Sequence, residues 1–321
     1  MKTKQSKIFC TLGPSSLNKK FLKLSSGKVS LLRLNMSHLS LGKLKKSINF
    51  IRKYTKTPIC IDTEGAQIRT KVKRSSKLKK NSSIIINKKL KNFSLYPPEV
   101  FDQLKKNDIL EIGFEGLIIK VIKKTEDKIL SKVISEGALK NNKGVHLVNR
   151  KIKLNFITEK DRKAIEISKK LKINNFALSF TNSVQDIDKF EKLLHNKNKI
   201  YKIETKKAID SLDSIISKGQ KFLIDRGDLS KEISIQMLPV VQRKILKKSK
   251  GKRKEVYVAT NFLESMLENR YPTRGEVNDI YNTLEMGSAG LVLAAETAIG
   301  KYPMECVSFL KKIINTFKKF Q

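Results

Sequence analysis

Short apolar runs recur along the whole chain, at residues 7–12, 29–34, 58–62, 176–180, 200–203, 222–224, 256–259 and 291–294, each bounded by polar or turn-forming residues. Runs that stay apolar without alternating suit strands buried on both faces, as in a parallel sheet covered by helices. Amphipathic helix patterns lie between them. Residues 158–172 open on Thr158-x-x-Asp161, the spacing of a capping box, and predict Ile165, Ile167 and Leu171 on the inner face. Residues 206–218 present Ile209, Leu212, Ile215 and Ile216 and stop at Gly219, read as the C′ glycine of that helix. Residues 275–286 present Val277, Ile280 and Leu284 and stop at Gly287, and the last helix carries Val307, Leu310, Ile313, Ile314 and Phe317. Strand followed by helix, repeated eight times, predicts an α/β fold in the form of a (β/α)8 TIM barrel.

One stretch breaks this rhythm. From residue 71 to 153 the runs become short and β-like, at 83–86, 109–112, 117–122 and 129–134, with Asn, Gly and Pro97-Pro98 between them and no sustained helical period. It predicts a small all-β, barrel-like domain inserted after the third strand, with 1–70 and 154–321 forming the barrel. A chain of 321 residues is long enough for both at roughly 100–200 residues per domain.

The balance of 68 Lys and Arg against 30 Asp and Glu gives a net charge of +38, which invites a nucleic-acid reading. Yet only 11 of the basic residues are Arg, and the lysines are scattered over many segments. Base readers and phosphate clamps favour the bidentate Arg fork, so this charge reads as solvated surface that attracts soluble anions. No apolar run approaches the roughly 18 residues of a membrane span, and the N-terminus lacks the apolar core of a secretory signal. Cys10, Cys60 and Cys306 are odd in number and sit among apolar neighbours, which suits buried thiols in a reducing, cytoplasmic compartment.

The chemistry-bearing residues gather at the C-terminal ends of the predicted strands, where a barrel of this kind places its active site. These ends read Arg33-Leu34-Asn35-Met36-Ser37-His38, Asp62-Thr63-Glu64-Gly65, Lys202-Ile203-Glu204, Asp225-Arg226-Gly227-Asp228 and Ala259-Thr260-Asn261. Glu204 and Asp228 offer the one or two carboxylates that Mg²⁺ takes. Lys202 and Glu204 share one strand face, so an ammonium could reach a phosphoryl group held by the metal. Arg33 and Arg69 offer bidentate phosphate binding, and Gly227 admits close backbone approach to an anion. Phosphoryl transfer needs such positioning and charge neutralisation. Any one such pair taken alone reads as an ordinary ion pair or a helix cap, and convergence on five strand ends reverses that.

The stretches KIFCTLGPSS (7–16), LLRLNMSH (31–38), IDTEGAQIRT (61–70), NKGVHL (142–147), LNFITEKD (154–161), ALSFTNSVQDI (177–187), KIET (202–205), RGDL (226–229), ATNFLESM (259–266), PTRGEVND (272–279) and AAETAIGKYP (294–303) resemble, in order and spacing, the pyruvate kinase family. The resemblance implies transfer of phosphate from phosphoenolpyruvate to ADP, giving pyruvate and ATP. It implies Lys202 and Thr260 as catalytic groups, and Glu204 and Asp228 as ligands of Mg²⁺ or Mn²⁺. Arg33, Lys202, Gly227, Asp228 and Thr260 would bind phosphoenolpyruvate. Asn35, Ser37, Asp62 and Thr63 would form a potassium site, and Arg69, Lys143 and His38 would meet the nucleotide. The insertion would be a lid. The family's further C-terminal domain is expected to be missing after the last helix, while the region around Thr273 and Arg274 leaves room for a homodimer through the barrel.

Several positions depart from the family pattern. Glu64 stands in place of Lys, Ala66 in place of Pro, and Gln67 where Glu accompanies potassium dependence and Lys its absence. Asp225 replaces a small Ala, Ser230 a Gly, and Ala294-Ala295 a Ser-Gly pair. Two other readings remain open: a diverged relative acting on another phosphorylated enolate or keto acid, and a non-catalytic binder of anions or nucleic acid on the same scaffold.

Overall fold

The computed structural model describes residues 6–113 and 116–320, which fall into two compact units: residues up to Gly65 with those from Glu159 onward, and Ala66–Thr158. The first unit holds eight parallel strands, β1 (Lys7–Thr11), β2 (Leu31–Asn35), β3 (Ile59–Asp62), β4 (Asn175–Leu178), β5 (Asn198–Ile203), β6 (Lys221–Asp225), β7 (Glu255–Ala259) and β8 (Gly290–Leu293). Each pairs with its neighbours in sequence, and β8 closes on β1 through Lys7↔Gly290 to Cys10↔Leu293. The main helices are α1 (Lys19–Ser25), α2 (Leu41–Tyr54), α3 (Glu159–Lys170), α4 (Val184–Leu193), α5 (Leu212–Lys218), α6 (Leu238–Gly251), α7 (Arg274–Glu285) and α8 (Pro303–Lys319). A closed barrel has no exposed strand edge, and short βα connections leave the C-terminal ends of the strands free to carry loops.

The helix patterns hold with local differences. Along α3, Ile165 is buried, but Ile167 and Leu171 are only half-buried, and Ala164 and Ser168 fill the inner face. The pattern over 206–218 breaks at Ser211 into a single turn, Lys206–Asp210, and α5. Gly219 ends α5 in an extended conformation, not a left-handed one; glycine is required there because a Cβ would lie 2.5 Å from the Phe222 ring. Gly287, by contrast, closes α7 at φ +92°, where an L side chain is strained. In α8 all five predicted inner residues are buried.

The second unit, expected from the sequence over 71–153, is an antiparallel seven-stranded sheet in the order Ser83–Asn87, Lys128–Ser135, Leu117–Lys124, Ile109–Ile112, Gly144–Leu147, Ile68–Val72, Phe93–Tyr96, with a two-stranded ribbon and one short helix, Glu99–Gln103. It packs its own core, including Ile86, Phe93, Phe101, Leu110, Ile119 and Val133. Cys10, Cys60 and Cys306 are free and buried. Among the described residues no helix is long and apolar enough to cross a membrane.

Candidate active site

The barrel interior is filled by Phe9, Leu31, Cys60, Ala177, Ile200, Leu223, Tyr257 and Val292. Side chains alternate along a strand, so the residue two positions on faces the same axis, one layer closer to the C-terminal ends. That step leads from Leu31 to Arg33, from Cys60 to Asp62, from Ala177 to Ser179, from Ile200 to Lys202 and Glu204, and from Leu223 to Asp225. The packed apolar layer thus forms the floor of a charged one.

In that layer the Lys202 Nζ lies 2.6 Å from Glu204 Oε1, 3.5 Å from Asp225 Oδ2 and 3.6 Å from Asp62 Oδ2, and donates to Ser179 Oγ at 3.2 Å. Arg33 Nε donates to Thr11 Oγ1 at 3.1 Å and lies 3.4 Å from Asp62 Oδ2. Lys202 is 4% exposed and Glu204 not exposed at all. Burial alone would lower the Lys202 pKa, but Asp62, Glu204 and Asp225 outweigh it and hold the ammonium charged well above its ordinary range. Burial likewise opposes the Arg33 charge, and Asp62 and Asp225 overcome it. Among the described residues Arg33 Nη1 is buried without a hydrogen-bond partner, a donor that an anionic ligand would satisfy.

Asp62, Glu204, Asp225 and Asp228 face Arg33, Lys202 and, at the rim, Lys231, whose Nζ is 2.8 Å from Asp228 Oδ1. Burial, the largest cause, pushes the Glu204 carboxyl up; Lys202 pulls it down, and Asp228 and Asp225 push it up further. Glu204 Oε2 accepts the Phe180 N–H at 2.6 Å, while Oε1 makes no hydrogen bond of good geometry. Oxygens of Glu204, Asp225 and Asp228 lie within 4.8 Å of one another. A hard divalent cation fits this all-carboxylate donor set.

The rim backbone is strained. Phe180 (φ 53°), Thr260 (φ 75°) and Asn261 (φ 58°) all occupy left-handed conformations without being glycine, and a β-branched residue there is a real outlier. Arg226 holds the Thr260 turn: its Nε donates to Thr260 O at 3.1 Å, Nη2 donates to the same oxygen at 2.5 Å, and Nη1 to Asp279 Oδ2 of α7 at 2.7 Å. The guanidinium also lies 4.2 Å from the Phe262 ring centroid. Gly227 N–H donates to Thr260 Oγ1 at 2.8 Å, joining the ends of β6 and β7.

The pattern of the pyruvate kinase barrel domain matches residues 3–307. This chain belongs to the pyruvate kinase family. It is 33% identical over 337 residues to a pyruvate kinase of Thermotoga maritima, covering 98% of this chain and 72% of that one. A pyruvate kinase of Geobacillus stearothermophilus is 31% identical over 97% of this chain, which spans 56% of it, and one of Methanocaldococcus jannaschii is 32% identical, with 97% and 69% covered.

Of the residues the family resemblance singles out, Arg33, Asp62, Lys202, Glu204, Gly227, Asp228 and Thr260 all lie at the mouth of the barrel. Asp62, read as a potassium ligand, turns Oδ2 toward Arg33 and Lys202 and accepts Ser179 Oγ at Oδ1, 3.2 Å away. Asn35 Oδ1 accepts the Ser37 N–H at 2.8 Å and braces its own loop, while Thr63 Oγ1 accepts the Ser179 N–H at 3.0 Å and ties the loop after β3 to the end of β4. His38 is exposed on the loop after β2. Arg69 and Lys143 lie in the second unit, on adjoining strand segments where Gly144 pairs with Arg69. Sequence reasoning missed three residues. Asp225, read as a departure that replaces a small Ala, completes the carboxylate trio. Ser179 ties Lys202 to Asp62 and Thr63. Asp161, read as a capping-box residue, is fully buried and accepts the backbone N–H groups of Glu64 and Gly65 at 2.8 and 3.1 Å, pinning the loop after β3. The alternation Leu223, Asp225 along β6 was the signal available for the first.

Proposed function

We propose that this chain moves the phosphoryl group of phosphoenolpyruvate to ADP, forming pyruvate and ATP. One observation carries the reading: the Lys202 ammonium sits 2.6 Å from Glu204 within a cluster of carboxylates at the C-terminal ends of parallel strands. Mg²⁺ or Mn²⁺, held by Glu204, Asp228 and Asp225, would neutralise phosphoryl and enolate oxygen charge as a Lewis acid. Arg33, with its unsatisfied Nη1, binds the phosphoryl oxygens from the β2 side. Lys202 faces them from β5 and stabilises charge as the bond from phosphorus to the enol oxygen breaks and that to the ADP oxygen forms. Gly227 and Asp228 orient the carboxylate end, and Thr260 meets the carbon skeleton. Asn35, Ser37, Asp62 and Thr63 would take potassium. Arg69 and Lys143 supply cations for the nucleotide phosphates, with His38 at its border, and the second unit serves as the lid that excludes water. A cytoplasmic protein, as a monomer or as a homodimer through the barrel, fits this role.

The test is pyruvate formation by the purified chain with both substrates and Mg²⁺ or Mn²⁺, with and without K⁺. Lys202→Arg keeps the charge but replaces a compact ammonium with a planar fork, so kcat falls by about 10²–10³. Absence of turnover under every cation would overturn the proposal.

A further inference from the structure

The chain leaves the first unit after Gly65 and returns to it at Glu159. Charged groups in the first turn of α3 seat both crossings. Asp161 accepts the backbone N–H groups of Glu64 and Gly65 at 2.8 and 3.1 Å. Lys160 Nζ lies 3.1 Å from Glu64 Oε2 and also donates to Met36 O, on the loop after β2. The Met36 N–H in turn donates to Asp62 O at 2.9 Å. Gly65, at φ +68°, packs so closely on the end of β4 that a Cβ would lie 2.8 Å from the Ser179 Cβ. One ammonium thus ties together the outgoing chain, the returning chain and the loop after β2.

Stability alone does not account for this placement. Glu64 is 5% exposed, and desolvation of such a carboxylate offsets much of what its partner returns. A lysine in the first turn also meets the positive end of its own helix, where a cation is disfavoured. Glu64 stands where the family pattern has Lys, so the pair is a feature of this chain and not of that pattern. Burial and helix polarity both oppose the arrangement, and what it yields is a fixed geometry at the crossing.

We propose that Lys160 is a positioning residue for the nucleotide half of the reaction. Paired with Glu64, it clasps the root of the second unit, whose Arg69 and Lys143 supply cations for the nucleotide phosphates in the proposed function, on which this inference rests. The clasp fixes where the polypeptide departs and returns, so movement of the second unit is taken up within residues 66–158. Loosening this root weakens capture of ADP and spares phosphoenolpyruvate, whose proposed contacts all come from the barrel.

The experiment uses two variants of the full chain. Lys160→Met removes the ammonium at similar side-chain length, and Glu64→Leu with Lys160→Met removes both charges together, which keeps the fold because no carboxylate is buried without its cation. In both, KM for ADP should rise at least about fivefold, while kcat and KM for phosphoenolpyruvate stay within about twofold of wild type. Lys160→Arg, which keeps a cation between Glu64 and Met36, should bring KM for ADP back to within about twofold. Amide hydrogen exchange at Glu64 and Gly65 should quicken about tenfold in the double variant. An unchanged KM for ADP in the double variant, or a rise confined to Lys160→Met, means that the pair only balances charge and overturns this inference, as does an equal rise in both KM values. No turnover by the wild type overturns the proposed function; exchange at Glu64 and Gly65 then decides the clasp by itself, and rates equal to those of the wild type overturn it.

Discussion

Lys202 lets Asp62, Glu204 and Asp225 share one end of a barrel: each lies within 3.6 Å of its ammonium, and all are almost wholly buried. Removing one partner of a buried ionic group leaves charge uncompensated and costs about 3–5 kcal/mol. Lys202→Met should therefore destabilise the protein by that order, measured by chemical denaturation, besides removing activity. The pH dependence of this loss has a defined sign. The Glu204 carboxyl is raised even in the wild type, so its protonation favours the fold; the stabilising contribution is full below the unfolded carboxylate value and is lost as pH rises through the folded one. Without Lys202 the folded value rises further, so the gap between variant and wild type narrows as pH falls from 8 toward 5. A gap that widened over that range would place the carboxylates in another environment than the one described.

At the level of elements, α7 shows how the rim is held. Thr273 Oγ1 accepts the Glu276 N–H while the Glu276 carboxylate accepts the Thr273 N–H, and the same carboxylate takes the Ser265 N–H at 2.7 Å and Ser265 Oγ at 2.5 Å. A capping box thus also fastens the loop that follows Thr260. Burial raises the Glu276 pKa, but the hydrogen bonds from Ser265 and Thr273 outweigh it and leave the carboxyl below its ordinary range. Its contribution is present above the unfolded value of about 4.3 and is lost as pH falls through the folded one. Glu276→Ala should cost about 1–2 kcal/mol at pH 7 and progressively less on acidification, read from melts of both proteins between pH 7 and 3. The strands of the barrel were legible because burial on both faces writes a continuous apolar run, and the inserted sheet because the helical period fails there. The break at Ser211 was not, since Ile209 and Leu212 keep the helical spacing across it. Nor were the left-handed turns at Phe180, Thr260 and Asn261, where no glycine advertises the conformation and the compensating bonds come from Glu204 and Arg226, far away in sequence. Asp225 was legible as a charge but not as a partner, because its role depends on Lys202 and Glu204 of β5 reaching it across the barrel mouth.

At the scale of the whole molecule, 68 basic against 30 acidic residues surround a site whose proposed substrates are both polyanions. A field of one sign raises the local concentration of such ligands, and it is screened over roughly 10 Å at 0.1 M salt. The chemistry at Lys202 is buried and is screened far less. Ionic strength should therefore act on capture and not on turnover: raising tetramethylammonium chloride from about 20 to 500 mM at constant Mg²⁺ should increase KM for ADP and phosphoenolpyruvate several-fold while kcat changes little. Tetramethylammonium serves because it varies charge screening without supplying a small cation to Asn35, Ser37, Asp62 and Thr63. The same field predicts that RNA inhibits at the low end of this range and ceases to do so near 0.15 M, since scattered lysines without an Arg-lined groove give only non-specific, salt-sensitive attraction. RNA binding that persisted with nanomolar affinity at 0.15 M would instead mean that the lysines converge on a dedicated polynucleotide surface, and that the charge serves a second partner and not the substrates.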